Sequence, residues 1–287
     1  FQDPKSATAT RGGAQSGQMS DPYYASQASA QQTAQIDGLY ATPPAGSIDT
    51  DRMTVEDTVW KTVGLFAALL VTAVVGWVWT LSTVMTEGAP NMTPWLIGMI
   101  GGFVLAMVNI FKKQPSVPLI VLYAAFQGLF VGGISAYFEF MYSGIVMQAT
   151  LATVAVVGVT LALFASGKVR ASKKATKIFM IAMIGYAVFS LLNLILMWTN
   201  VIPAGMMFGL HSAPSILFGI PWGVIIGVFV VIMAAYSLVL DFDMVQQGVR
   251  NGAPRKMGWT AAFGIMVTVI WLYVEILRIL AILRGNN

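Results

Sequence analysis

The sequence predicts an all-α integral membrane protein with seven transmembrane helices, on three observations. Seven apolar stretches fill the chain from about Val59 to Leu283. A bilayer core about 30 Å thick takes roughly 20 residues of helix to cross, and each stretch approaches or exceeds that length. Hydrophobic residues make up 57% of the chain and charged residues 10%, with a mean hydropathy of +0.74, far from the balance of a soluble domain. The basic residues also fall on alternate connections between the stretches, the pattern of a chain threaded back and forth across a membrane.

The first segment, residues 1–55, is rich in Ala, Gln, Ser, Thr and Gly. It has too few large apolar side chains to offset the entropy of ordering, so a disordered polar leader is expected. The chain opens on Phe1, and a start upstream of it is expected. Residues 56–287 form the predicted membrane domain. Span one, Val59 to Leu81, is too long and lies too far into the chain for a cleaved signal core. Span two, Trp95 to Phe111, is the shortest, and Gly98 with Gly102 forms the first Gly-xxx-Gly pair. Span three, Val117 to Phe138, carries the second pair, Gly128 with Gly132. Spans four and five are Ile145 to Ala165 and Ile178 to Trp198. Span six, Ser215 to Leu240, holds the third pair, Gly223 with Gly227, and Pro221, which is expected to kink it. Span seven runs from Trp259 to Leu283. The glycine pairs read as sites of close helix approach within one bundle rather than as dimer contacts.

The connection after span two carries Lys112 and Lys113, that after span four Lys168, Arg170, Lys173, Lys174 and Lys177, and that after span six Arg250, Arg255 and Lys256. The alternate connections, around Glu87, around Glu139 and from Asn200 to Pro214, contain no Lys or Arg. The expected orientation therefore has the amino terminus in the cytoplasm and the carboxy terminus outside. This topology accounts for the net charge of +4, so no nucleic-acid partner is called for. The partner that the composition implies is the lipid bilayer.

Charges inside a membrane are costly and are default candidates for function. Glu275 lies about 24 Å into span seven from its cytoplasmic start, and Arg278 follows three residues later. Two readings are open: a local Glu275–Arg278 pair that neutralises both, or a site. Glu139 ends span three at nearly the depth of Arg278, so an outer cluster of Glu139, Glu275 and Arg278 is geometrically possible; otherwise Glu139 sits in the headgroup layer. Asp241 and Asp243 close span six, where the helix dipole disfavours an acid. They are expected to serve a proton, a cation or the basic residues that follow, or to form a solvated helix end. His211 is the single histidine and is placed in an outer loop.

Several classes lack their residues. There is no Gly-x-Gly-Asp for an aspartyl protease, no membrane-embedded histidine for a rhomboid-type serine protease and no Lys in span seven for a retinal protein. No phosphate loop or zinc pair occurs, and the absence of cysteine excludes disulfides and thiolate sites. An enzyme is not expected, nor is a cofactor. No inverted repeat relates the two halves, which argues against an alternating-access transporter of the usual kind.

The run Leu240, Asp241, Phe242, Asp243, Met244, the loop from Gly252 to Trp259, and the stretch from Ala262 to Leu280 together resemble the transmembrane Bax inhibitor motif family, more narrowly its bacterial, YccA-like branch. The resemblance spans about Glu56 to Leu283. It implies six helices around a central seventh and a pH-sensitive leak of cations, Ca²⁺ foremost, in a bacterial plasma membrane. It further implies two aspartates, at the end of helix six and in helix seven, that share a proton and close the path. Asp241 matches the first. The second place holds Thr268, and Glu275 lies seven residues later on the same face, about 10 Å further along. Asp241 and Glu275 are thus the Ca²⁺ and H⁺ candidates, yet too far apart to share a proton; a rearranged gate would use Glu275 with Glu139 or Arg278. The alternative is a non-transporting interaction protein, a membrane partner of a protease or stress machinery that binds through the leader and the Lys168 to Lys177 loop.

Overall fold

In hydrocarbon an unpaired backbone N–H or C=O is so costly that a spanning segment must satisfy its own hydrogen bonds, and helices do so locally. The computed structural model describes residues 51–112, 114–199, 201, 208–213 and 220–285. Among them seven helices are long and apolar enough to cross a membrane: α1 (Val55–Leu81), α2 (Thr93–Phe111), α3 (Val117–Met141), α4 (Ile145–Ala165), α5 (Lys173–Trp198), α6 (Trp222–Arg250) and α7 (Met257–Gly285). No strand occurs among the described residues, and an isolated bridge pairs Arg52 with Pro254. The leader up to residue 50, Lys113, most of the α5–α6 connection and the last two residues lie outside the described part.

Local chemistry explains the ends. The Thr54 hydroxyl accepts the Asp57 N–H at 3.2 Å, and Glu56 and Asp57 occupy the first turn of α1, where negative charge complements the helix dipole. Ser172 caps α5 the same way through Ala175 N–H. After α1, a single helical turn, Val84–Glu87, closes on Gly88 in the left-handed region at φ 70°, which a residue without Cβ adopts freely. Pro221 does not kink α6. It is the N-cap residue, with ψ 142°, and the helix starts after it, where a missing N–H costs nothing.

The other end of α6 differs from expectation as well. The helix does not stop at Asp241 and Asp243 but runs on to Arg250. Val245 is buried there against Met53 and Ala261, with Val249 beside them, so a packed face outlasts the apolar run and pulls two more helical turns into the bundle.

All three Gly-xxx-Gly pairs seat neighbouring helices of the same chain. A Cβ on Gly132 would stand 2.0 Å from the Ala73 carbonyl oxygen, and one on Gly128 1.8 Å from Thr72 Oγ1, so α3 lies directly against α1. Gly98 brings α2 onto α3, at 2.3 Å from Phe130 N by the same measure. Gly227 receives Ile279 of α7, and Gly223 receives the 3-10 turn Gly209–Ser212 at the His211 carbonyl.

The last helix is the most buried of the seven and packs mainly on α6, α1, α4 and α3. Near its start Ala262, Met266 and Ile270 meet Leu65, Leu69, Ile120 and Tyr123; further along, Leu272, Ile276, Leu277 and Ala281 meet Phe138, Ile145, Ala149 and Ala234. By contrast α5 packs lightly, chiefly on α6 and the 3-10 turn, with only Phe179 and Asn193 buried. At the end that carries the basic connections, Met53 N–H donates to Ala253 O at 2.8 Å and Arg255 N–H to Asp51 O at 2.9 Å. Residues 51–53 therefore lie along the α6–α7 connection.

Candidate functional site

Two buried carboxylates sit on the α6–α7 seam at different depths. Asp241, 9% exposed, accepts a 2.6 Å hydrogen bond at Oδ2 from Thr268 Oγ1. Ser237, one turn earlier on α6, lies with its hydroxyl 3.4 Å from the same Thr268 oxygen. The other carboxylate oxygen faces Gly264, where a Cβ would come within 3.0 Å of Oδ1; glycine at this position leaves room for the acid. Among the described residues no basic side chain forms an ion pair with Asp241. The basic residues after α6 do not serve it: Arg255 turns away to Asp57, and Arg250 is exposed at the helix end.

Asp243 is two residues further on, which turns it off the face that holds Asp241. Its Oδ2 accepts from Gln247 Nε2 at 2.6 Å along its own helix, so the pair expected at the helix end is split between a buried face and the surface.

The second carboxylate is two turns along α7. Glu275 is 3% exposed and pairs through Oε1 with Arg278 NH2; its Oε2 accepts from Tyr186 OH of α5 at 3.3 Å. Arg278 NH1 is 3.0 Å from His211 Nε2. A guanidinium can only donate, so Nε2 accepts and the neutral ring carries its proton on Nδ1. Burial first, and then the Arg278 charge, hold the His211 pKa down to about 4. The imidazole is therefore neutral at ordinary pH. Asn193 of α5 completes the arrangement: its Oδ1 accepts the Leu210 N–H at 2.8 Å and its Nδ2 donates to Phe208 O at 3.3 Å. The loop histidine is thus inside the protein, 2% exposed, and fastens the 3-10 turn to α7.

Glu139 does not join this group. Its Oε1 accepts from Gly144 N–H at 2.5 Å and its Oε2 from Val146 N–H at 3.1 Å. It caps the first turn of α4, a positive dipole end that holds a carboxylate well, and the outer cluster with Glu275 and Arg278 is not formed. Asp57 is a further half-buried acid, one to which the sequence drew no notice. It pairs with Lys61 and, at 2.8 Å, with Arg255, and Lys61 Nζ also reaches the Arg255 carbonyl at 2.7 Å. Arg255 is held above its usual pKa by the Asp57 hydrogen bond. The i,i+4 spacing of Asp57 and Lys61 was readable along the chain; the Arg255 arm, nearly two hundred residues away, was not. His211 and Asn193 had no such signal at all.

The seven spans, the buried acid on α6 and its hydroxyl partner on α7 now stand together. A family model described as Bax inhibitor 1 like matches residues 6–285. The chain belongs to the Bax inhibitor 1 like family. No curated protein matches it. In this Bax inhibitor 1 like member the fold brings Thr268 of α7 into hydrogen-bond contact with Asp241 of α6. Asp241 and Glu275 remain separate, since Thr268 and Glu275 are about 10 Å apart along α7. Among the described residues no three of His, Asp and Glu converge as metal ligands.

Proposed function

We propose that this chain is a pH-sensitive leak pathway for cations, Ca²⁺ in the first place, with Asp241 as the group that meets the ion. The observation that carries the reading is the buried Asp241 carboxylate, which among the described residues has no basic partner and takes its hydrogen bond from Thr268. A desolvated carboxylate is stable only with something positive or several donors beside it. Asp241, Thr268 and Ser237 offer oxygens, the ligands a hard cation prefers. In this reading the Thr268–Asp241 hydrogen bond ties α6 to α7 and keeps the path closed. A cation that takes the Asp241 oxygen from Thr268 opens it, and protons compete for the same oxygen, which makes the flux depend on pH. One carboxylate and one hydroxyl do here what the resemblance assigns to two aspartates. Glu275, neutralised by Arg278, holds the fold at the other end rather than the ion.

The orientation belongs to the same proposal: basic connections and amino terminus in the cytoplasm, carboxy terminus outside, α7 as the central helix, in a bacterial plasma membrane of the YccA-like branch. The protein is a pathway and not a catalyst. Calcium flux into liposomes that hold the purified full chain tests it, across the neutral pH range, for the native protein and for Asp241→Asn and Thr268→Val. Native flux should vary with pH, Asp241→Asn should flatten that dependence, and Thr268→Val should raise the flux. Folded protein that transports no more than empty liposomes would instead favour an interaction protein, for which the exposed Lys173, Lys174 and Lys177 offer a contact surface.

A further inference from the structure

Residues 51–53 lead into α1 and lie along the α6–α7 connection, at the end that carries the basic connections. Asp51 and Arg52 are exposed there, whereas Met53 is buried. Its side chain meets Val245 of α6 and Ala261 of α7, with Ala253 packed against them. A Cβ on Gly248 would stand 2.9 Å from the Met53 sulfur. Small residues thus leave a socket on the α6–α7 seam that one long, unbranched side chain fills.

The socket adjoins Asp241. Val245 follows Asp241 by four residues on α6, and Ala261 precedes Gly264, which borders the Asp241 carboxylate, by three on α7. Both spacings keep a residue on the same face of its helix. At 1.5 Å per residue the Met53 layer is about 5–6 Å from the Asp241 layer, displaced toward the basic connections. A cation that travels the seam between that end and Asp241 has to pass the place that Met53 occupies.

The side chain is held by a superficial mooring. Met53 N–H donates to Ala253 O and Arg255 N–H to Asp51 O, and Asp57 pairs with an Arg255 side chain that is more than a third exposed. A short segment held by a few solvent-accessible bonds opens at far lower cost than helices packed in a core.

We infer that Met53 is a plug: the strap of residues 51–53 closes the α6–α7 seam one helical turn from Asp241, and its withdrawal admits water and cations to that carboxylate. For the ion this rests on the leak reading of Asp241; the closing of the seam is measurable without any flux.

The chain has no cysteine, so Ala261→Cys places a single thiol beneath the plug. Its reaction with a small cationic methanethiosulfonate, which attacks through water, is followed in the detergent-purified full chain with Met53 native, Met53→Leu or Met53→Ala. Labelling should be slow in the native background and with Leu, which refills the socket. With Ala it should rise about tenfold to a hundredfold, the change in opening that burial of one such side chain corresponds to. Ala281→Cys, at a buried site in the other half of α7, should label slowly in all three backgrounds. Calcium flux into liposomes should rise with Met53→Ala. The expected labelling with no flux above empty liposomes in any variant would keep the plug and remove the leak. Equal labelling at Ala261→Cys in the native and Met53→Ala backgrounds, or an Ala281→Cys thiol that quickens with it, would overturn the inference. So would a native flux that Met53→Ala leaves unchanged.

Discussion

Replacement of Glu275 by Gln tests how the far end of the bundle is held. The substitution keeps the shape and an acceptor for Arg278 NH2 but removes the charge. Arg278 would then be left with a neutral imidazole at 3.0 Å, a neutral amide and an Nε–H that has no partner among the described residues. Removing one member of a buried ion pair costs about 3–5 kcal/mol, because the other charge stays desolvated. The Arg278 side chain retains 17% exposure and Gln still accepts, so the lower figure of about 3 kcal/mol applies. For a chain of this size that corresponds to roughly 6–12 °C in Tm. Arg278→Met alone strands a still more buried carboxylate with Tyr186 OH and should cost at least as much. The double variant removes both charges and leaves an apolar side chain in place of the guanidinium. It should recover to within about 1 kcal/mol of the native protein, as buried pairs replaced by apolar groups commonly do. Thermal unfolding of detergent-purified protein, followed by tryptophan fluorescence, measures all four. A Glu275→Gln variant that melts within about 1 °C of the native chain, or a double variant that shows the sum of the two losses, would refute the reasoning.

Gly132→Ala sets a Cβ against the Ala73 carbonyl oxygen and should destabilise by about 1–3 kcal/mol as α1 and α3 part, whereas Gly64→Ala, with nothing within 4 Å, should be neutral or slightly stabilising in the same melts. His211 has its pKa lowered from 6.5 to about 4, so the unfolded turn takes up a proton that the folded turn refuses. Its contribution to stability is complete above about pH 6.5 and lost as the pH falls toward about 4; the native Tm should drop more across that window than the Tm of His211→Asn, and equal drops would contradict the assignment. Asp57→Asn weakens the hold on Lys61 and Arg255, and trypsin should then cleave after Arg255 and Lys256 faster than in the native chain. Unchanged cleavage would show that the backbone bonds from Asp51 and Met53 are enough.

The number, order and rough limits of the spans were legible along the chain, because each crossing helix must satisfy its own backbone in lipid and therefore advertises itself as one contiguous apolar run. The glycine pairs were legible for a similar reason: helical spacing alone puts them on one face. Asp241 and Glu275 stood out as acids among apolar neighbours, but the partner of Asp241 did not: the resemblance put Thr268 where a second aspartate was expected, and the fold alone sets its hydroxyl on Asp241. The end of α6 was not legible, since hydropathy stops at Leu240 while the packed face of Val245 continues against Met53 and Ala261, residues from two other parts of the chain. The partners of the charges were equally hidden. Glu139 has the depth to meet Arg278 but turns back to cap α4, His211 comes from a connection to meet Arg278, and Arg255 crosses to Asp57. Sequence determines what is local, the burial of a run and the face of a residue on its own helix; the tertiary structure alone decides which faces meet, because that depends on the rotation and depth of helices far apart in the chain.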